Sequence, residues 1–175
     1  MKHKRILFIT QAAMIAAIYT VMTYFINALG LANGAIQIRI SEALTILPAF
    51  TPAAVPGLFV GCLLSNTLTG CAIWDILLGS LATLIGAFGT RLLRKRSSLL
   101  LPLPPILANT LFVPFILQYV YLAPGGIVYL MLSVGIGEVI SCGILGLVLY
   151  RVLLPFKNVL FPQQEERPSA SGQHV

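Results

Sequence analysis

Between Ile6 and Leu154 the chain is a succession of apolar runs, and within it every Lys and Arg except Arg39 stands at the end of a run. This pattern constrains the fold more than any other feature. A chain surrounded by lipid must satisfy its backbone N–H and C=O groups internally, which leaves helices or a closed barrel. Runs this long and without strict alternation are helical. Composition agrees: 58% of the 175 residues are hydrophobic and 9% are charged, too few polar residues to coat a water-soluble globule. The mean hydropathy is +0.94. The expected fold class is an all-α integral membrane bundle of six helices over residues 1–155, with 156–175 as a disordered cytoplasmic tail.

The net charge of +6 does not point to nucleic acid, because the basic residues fall into three clusters that read as membrane topology. These are Lys2, Lys4 and Arg5; then Arg91, Arg94, Lys95 and Arg96; then Arg151 and Lys157. The positive-inside rule places all three in the cytoplasm, so an even number of spans must separate each from the next. The punctuation allows this. Helix one runs from Ile6 to Leu29, too long for the apolar core of a signal peptide. An extended segment from Leu31 to Ile40 follows, with Ile36, Ile38 and Ile40 alternating with polar residues. Two short spans end near Phe50 and Asn66 and are joined by a tight Thr51-Pro52 turn. Thr67 to Asp75 is an outward-facing loop. The remaining spans run from Ile76 to Leu93, from Leu101 to Tyr119 and from Ile127 to Leu154. Four spans then separate the first two clusters and two separate the last two.

Cys62, Cys71 and Cys142 are odd in number and form no CxxC pair, so small buried thiols are expected, with neither a disulfide framework nor a metal site. His3 and His174 sit in the terminal segments without metal-ligand partners nearby. No phosphate loop, HExxH or GxSxG motif occurs, so no catalytic residue is assigned and any ATP-driven step needs other subunits.

The candidate site residues are those that are expensive in hydrocarbon. Glu165 and Glu166 belong to the tail, which leaves Glu42, Asp75 and Glu138 as acids at membrane depth or its edge, and Arg39 as the one cation away from the clusters. Arg39 and Glu42 either form an ion pair at the mouth of span two or touch a ligand. Asp75 either caps span four or binds, since an acid is favourable at a helix N-terminus. Asn66 and Asn109 bond a neighbouring helix or a solute. Trp74 is an interfacial anchor or a stacking platform. Glu138 lies among Gly135, Gly137, Ser141 and Gly143, whose glycines permit close backbone approach, and it serves a ligand or a structural partner. In helix one, Ala12, Ala13, Ala16 and Ala17 form two overlapping small-residue pairs that permit close helix approach.

The runs Gln37-Ile38-Arg39-Ile40-Ser41-Glu42-Ala43-Leu44-Thr45, Asp75-Ile76-Leu77-Leu78-Gly79-Ser80-Leu81-Ala82-Thr83-Leu84 and Gly135-Ile136-Gly137-Glu138, with the Ala13 and Ala17 face, resemble the QueT family over about residues 5 to 155. That family comprises predicted queuosine-precursor transporters, the S components of energy-coupling factor (ECF) transporters. The resemblance implies a six-helix S component in a bacterial plasma membrane, with both termini cytoplasmic. It implies a 7-deazaguanine ligand such as preQ0, preQ1 or queuine and no cofactor bound by this chain. For such a flat ring Glu138, among glycines that leave room for it, is the first choice for the acid that grips the N–H and amine edge, with Asp75 or Glu42 in reserve. It also implies a transmembrane coupling subunit that docks on Ala13 and Ala17, and two cytoplasmic ATPases that use the ATP. An S component for another vitamin-like solute, or a non-transporting membrane scaffold, are the alternatives that the residues leave open.

Overall fold

In the computed structural model, which describes residues 2–30 and 39–161, every regular element is helical. The element α1 spans Lys2–Ala28, and a 3-10 helix follows at Ile40–Ala49. Next come α2 (Ala54–Leu68), α3 (Ile73–Leu93) and α4 (Leu103–Tyr119). The last long segment is α5 (Ile127–Glu138), a π segment (Val139–Leu145) and α6 (Gly146–Leu153), continued by a 3-10 turn and the short α7 (Lys157–Leu160). Among the described residues, four segments are long and apolar enough to cross a membrane: His3–Ala28, Ile73–Leu93, Ser98–Tyr119 and Ile127–Leu160. Two apolar helices, Ile40–Ala49 and Ala54–Leu68, are shorter.

The 3-10 helix is the centre of the molecule. It touches α1, α2, α3, the π segment and α6, and its residues from Ser41 to Pro48 are all buried. Ten residues wound as a 3-10 helix extend about 20 Å, against about 15 Å as an α-helix, so this winding carries a short segment deeper into the bundle. Its far end is held by Arg91, whose Nη1 donates to the Pro48 carbonyl at 3.0 Å. The Thr51-Pro52 turn then reverses the chain, and the Ala53 N–H donates to Thr51 Oγ1 at 3.3 Å.

Around this centre, neighbouring helices approach at backbone distance. A Cβ built on Gly57 of α2 would meet the Ala12 carbonyl oxygen at 2.7 Å, and one on Gly61 would meet Tyr19 Cβ at 2.9 Å and the Ala16 carbonyl at 3.0 Å. The alanines of α1 are therefore divided between two faces. Ala16 is buried and Ala12 half-buried against α2, whereas Ala13 and Ala17 are exposed on the outer side. In α3, Gly86 and Gly89 meet Pro105 and Pro104 of α4 in the same way.

Several boundaries differ from those read in the sequence. The helix α3 starts at Ile73, so Trp74 and Asp75 lie in its first turn rather than in a loop. No side-chain hydrogen bond caps α3, whose N-cap is Ala72; Asp75 stands in the first turn, where an acid is favourable beside the helix N-terminus. The last span is interrupted by the π segment, which begins immediately after Glu138. Helix continues past residue 156 to Leu160, and Phe161 stacks on Phe50 with centroids 5.5 Å apart. The alternating stretch from residue 31 to 38 and the rest of the tail from 162 lie outside the described residues.

Close packing at Gly57 makes a testable statement about stability. Gly57→Ala forces a methyl group against the α1 backbone, and overpacking of this kind costs about 1–3 kcal/mol. Thermal unfolding in detergent is expected to show that loss, while Ala13→Leu on the exposed side of α1 leaves the unfolding temperature near that of the parent.

Candidate functional site

Arg39 has extended backbone before the 3-10 helix, whereas Glu42 lies in its first turn and points into the bundle. No salt bridge joins the two among the described residues; the Glu42 carboxylate takes its bonds from Tyr19 and Asn109 instead, which corrects one reading of the sequence. Glu42 is 1% exposed and takes its partners from other helices. The Tyr19 hydroxyl of α1 donates to Oε1, and Asn109 Nδ2 of α4 donates to Oε2 at 3.5 Å. Hydrogen bonds to a carboxylate are the stronger kind, and deep in a helical bundle they are also the means of burying it.

Glu138 joins this cluster from α5. Cys142, four residues on, donates its thiol to Glu138 Oε2 at 3.1 Å and accepts from Thr45 Oγ1 at 3.4 Å. Ligand-type atoms of Glu42, Glu138 and Cys142 lie within 4.8 Å of one another. These are residue types that bind divalent metals, but the atoms are engaged with each other and with Tyr19, Thr45 and Asn109. The trio is a self-bonded polar cluster.

Nearer the other end of the bundle from the basic clusters lies a cavity of about 420 Å³. Its polar lining includes Asn27 at the end of α1, Arg39, Thr69 and Cys71 from the α2–α3 connection, Asp75, and Tyr121 just after α4. Val113 and Ile116 of α4 complete the wall. Asn109 is one turn before Val113 on the same face of α4, so the Glu42 cluster lies roughly one helical turn, about 5 Å, deeper than the cavity.

Asp75 is 5% exposed and well placed by its neighbours. The Tyr121 hydroxyl donates to Oδ2 at 3.0 Å while accepting from the Ala72 N–H at 3.0 Å, which ties the chain after α4 to the start of α3. Partial burial, and then the Asp75 charge, raise the Tyr121 phenol above its ordinary range, so it remains a donor at neutral pH. The Asn66 amide donates to the Asp75 carbonyl at 3.4 Å. A Cβ on Gly79 would press on both groups, at 3.1 Å from Asp75 Oδ1 and 3.3 Å from Asn66 Nδ2.

Of the residues singled out in the sequence, Arg39 and Asp75 line the cavity, and Glu42, Asn109 and Glu138 form the deeper cluster. Asn66 bonds the helix next to it rather than facing the cavity. Trp74 points away, into a separate apolar groove with Leu78, Phe115 and Tyr119. Cys71 is half-buried at the cavity rather than fully enclosed. Sequence reasoning missed Tyr19, Tyr121 and Asn27. A tyrosine in the middle of an apolar span is itself a signal, because a buried hydroxyl needs a partner.

The QueT transporter family model matches residues 9–155. A protein of Lactococcus lactis subsp. cremoris (strain MG1363), described as queuosine precursor transporter QueT, is 31% identical over 85 residues, or 49% of this chain and 50% of that protein. The chain thus spans about half the length of this curated relative in the match. No solved structure matches.

The hydrogen bond between Tyr19 and Glu42 is open to a double-mutant test. Tyr19→Phe leaves a buried acceptor short of a donor, which costs about 1–3 kcal/mol. In a Glu42→Ala background the same change is expected to cost less, because the acceptor is gone. Equal losses in both backgrounds, read by thermal unfolding in detergent, would show that the bond contributes nothing.

Proposed function

Because the chain belongs to the QueT transporter family, we propose that it is the substrate-binding S component of an ECF-type uptake transporter, with a queuosine precursor as cargo. The family is one of transporters, and the protein is not an enzyme. The name of the Lactococcus lactis relative, queuosine precursor transporter, supports the cargo reading, and a 7-deazaguanine such as preQ0, preQ1 or queuine is the class we put forward. In this reading the two short helices complete a six-helix membrane domain over residues 1–155, both termini are cytoplasmic, and the membrane is the bacterial plasma membrane.

The observation that carries the reading is the cavity. Its volume of about 420 Å³ lies in the range of small-molecule pockets, and it sits at the end of the bundle away from Lys4, Arg5, Arg94, Lys95 and Arg96. The positive-inside rule puts those residues in the cytoplasm, so the cavity opens to the outside, where an importer collects its solute. Arg39 and Asp75 meet the solute first. Glu42, Asn109 and Glu138 form the polar floor beneath, with Glu138 as an acceptor for a ring that reaches it, and Asn66 braces Asp75 from behind. Trp74 serves as an interfacial anchor.

The chain has no phosphate loop, which fits a division of labour with a transmembrane coupling subunit and two cytoplasmic ATPases that use the ATP. Ala13 and Ala17, exposed on α1 and small enough for close approach, are the surface we assign to the coupling subunit.

Two measurements test this reading. The purified protein is expected to bind at least one of preQ0, preQ1 and queuine and not riboflavin; the reverse pattern would mark an S component for another vitamin. Ala13→Leu combined with Ala17→Leu is expected to abolish uptake in cells while leaving binding by the isolated subunit intact. Loss of binding with normal assembly of the complex would overturn the assignment of that face.

A further inference from the structure

The cavity holds two groups of opposite charge that are not in hydrogen-bond contact. Arg39 and Asp75 both line it and attract one another, yet no salt bridge joins them among the described residues; the Arg39 backbone carbonyl accepts from the Glu42 N–H at 2.9 Å, while the guanidinium has no hydrogen-bond partner among the described residues. On Asp75, Tyr121 occupies Oδ2 at 3.0 Å. Oδ1 has no hydrogen-bond partner among the described residues and is not one of the fully enclosed orphan atoms, and Asp75 lines the cavity. A guanidinium and a carboxylate oxygen left free in a nearly buried space are costly unless something enters that satisfies both.

The arrangement also states what that something must present. A carboxylate oxygen accepts, and the guanidinium only donates, through a planar fork. The complementary ligand is flat, with N–H donors on one part of an edge and a carbonyl acceptor beside them. The lactam edge of a guanine-type ring has that order: an exocyclic amine, a ring N–H, then a carbonyl. An adenine-type edge offers a single amine donor beside a ring-nitrogen acceptor, so it gives Asp75 one donor instead of two and Arg39 a ring nitrogen in place of a carbonyl oxygen. Glu138 is less suited to first recognition, because it is bonded by Cys142, lies beside Glu42 and does not line the cavity.

We propose that Arg39 and Asp75 are the specificity-determining pair, Asp75 Oδ1 accepting from the amine and ring N–H of the cargo and Arg39 donating to its carbonyl. This assignment rests on the reading that the cargo is a 7-deazaguanine. Tyr121 is a positioning residue: by holding Oδ2 it fixes the carboxylate before the ligand arrives, which lowers the ordering cost of binding. A site built around hydrogen bonds rejects analogues that lack the matching group, since its own polar atoms are then left unpaired.

The test is a cycle of binding measurements on the full chain in detergent, with preQ1, its analogue lacking the exocyclic amine and its analogue in which the ring carbonyl oxygen is replaced by sulfur, a poorer acceptor that keeps the ring N–H. Wild type is expected to bind the first about 10- to 100-fold more weakly than preQ1, the range of one charge-assisted hydrogen bond, and the second more weakly as well. Asp75→Asn is expected to erase most of the penalty for the missing amine while keeping that for the altered carbonyl. Arg39→Gln is expected to do the opposite. Should either variant fail to fold, Asp75→Glu and Arg39→Lys keep the charge but change reach and fork, and each is expected to narrow the same discrimination as its partner variant. Wild-type binding with both penalties unchanged in the variants would overturn the pair assignment alone. Failure of wild type to bind any 7-deazaguanine would overturn the cargo reading and this inference with it.

Discussion

A carboxyl group in the middle of a helical bundle has no water to turn to, and much of this architecture follows from satisfying Glu42. Its two oxygens draw a hydroxyl from α1 and an amide from α4, helices that flank the 3-10 segment on different sides. Its backbone carbonyl accepts from Thr45 at 2.6 Å and lies 3.5 Å from the Cys142 thiol of the π segment. One residue therefore fastens four parts of the chain. Removing any one partner strands a polar group in a space where nothing else can bond it, which is why buried networks of this kind specify one arrangement rather than several.

The same economy shows in the use of α1. Its residues 12 and 16 meet the glycines of α2 at backbone distance, while residues 13 and 17, one position along and so about 100° around the axis, stay outside. A single helix thus presents one small-residue ridge that is permanently occupied and a second that is available. In lipid neither ridge gains from the hydrophobic effect; what distinguishes them is which one has a fitting partner within the chain.

Hydropathy and the placement of Lys and Arg made the helical class and most helix positions legible, because the cost of charge in hydrocarbon is large and local. What could not be read was three-dimensional phase. Whether Glu42 faces Arg39 or Tyr19 depends on Arg39 standing outside the helix with extended backbone, and apolar content does not encode that. Which acid meets the cavity depends on α3 beginning at Ile73 rather than at Ile76, a shift that turns Asp75 toward Tyr121 and Trp74 toward the apolar groove. The π segment shifts the phase of the last span between Glu138 and Gly146, and no feature of an almost uniformly apolar run announces it.

The central segment also acts as a ruler. It is pinned at one end by Arg91, which holds the Pro48 carbonyl near the basic surface, and it delivers Glu42 six residues further in. The depth of the polar floor is then a length counted from that surface and not a balance of hydropathies. Each residue wound as 3-10 contributes about 0.5 Å more rise than an α-helical one, so six residues set the carboxyl about 3 Å higher than α winding would. Tyr19 and Asn109 are placed to meet it at that height and at no other, which makes the pitch of ten residues a dimension of the site.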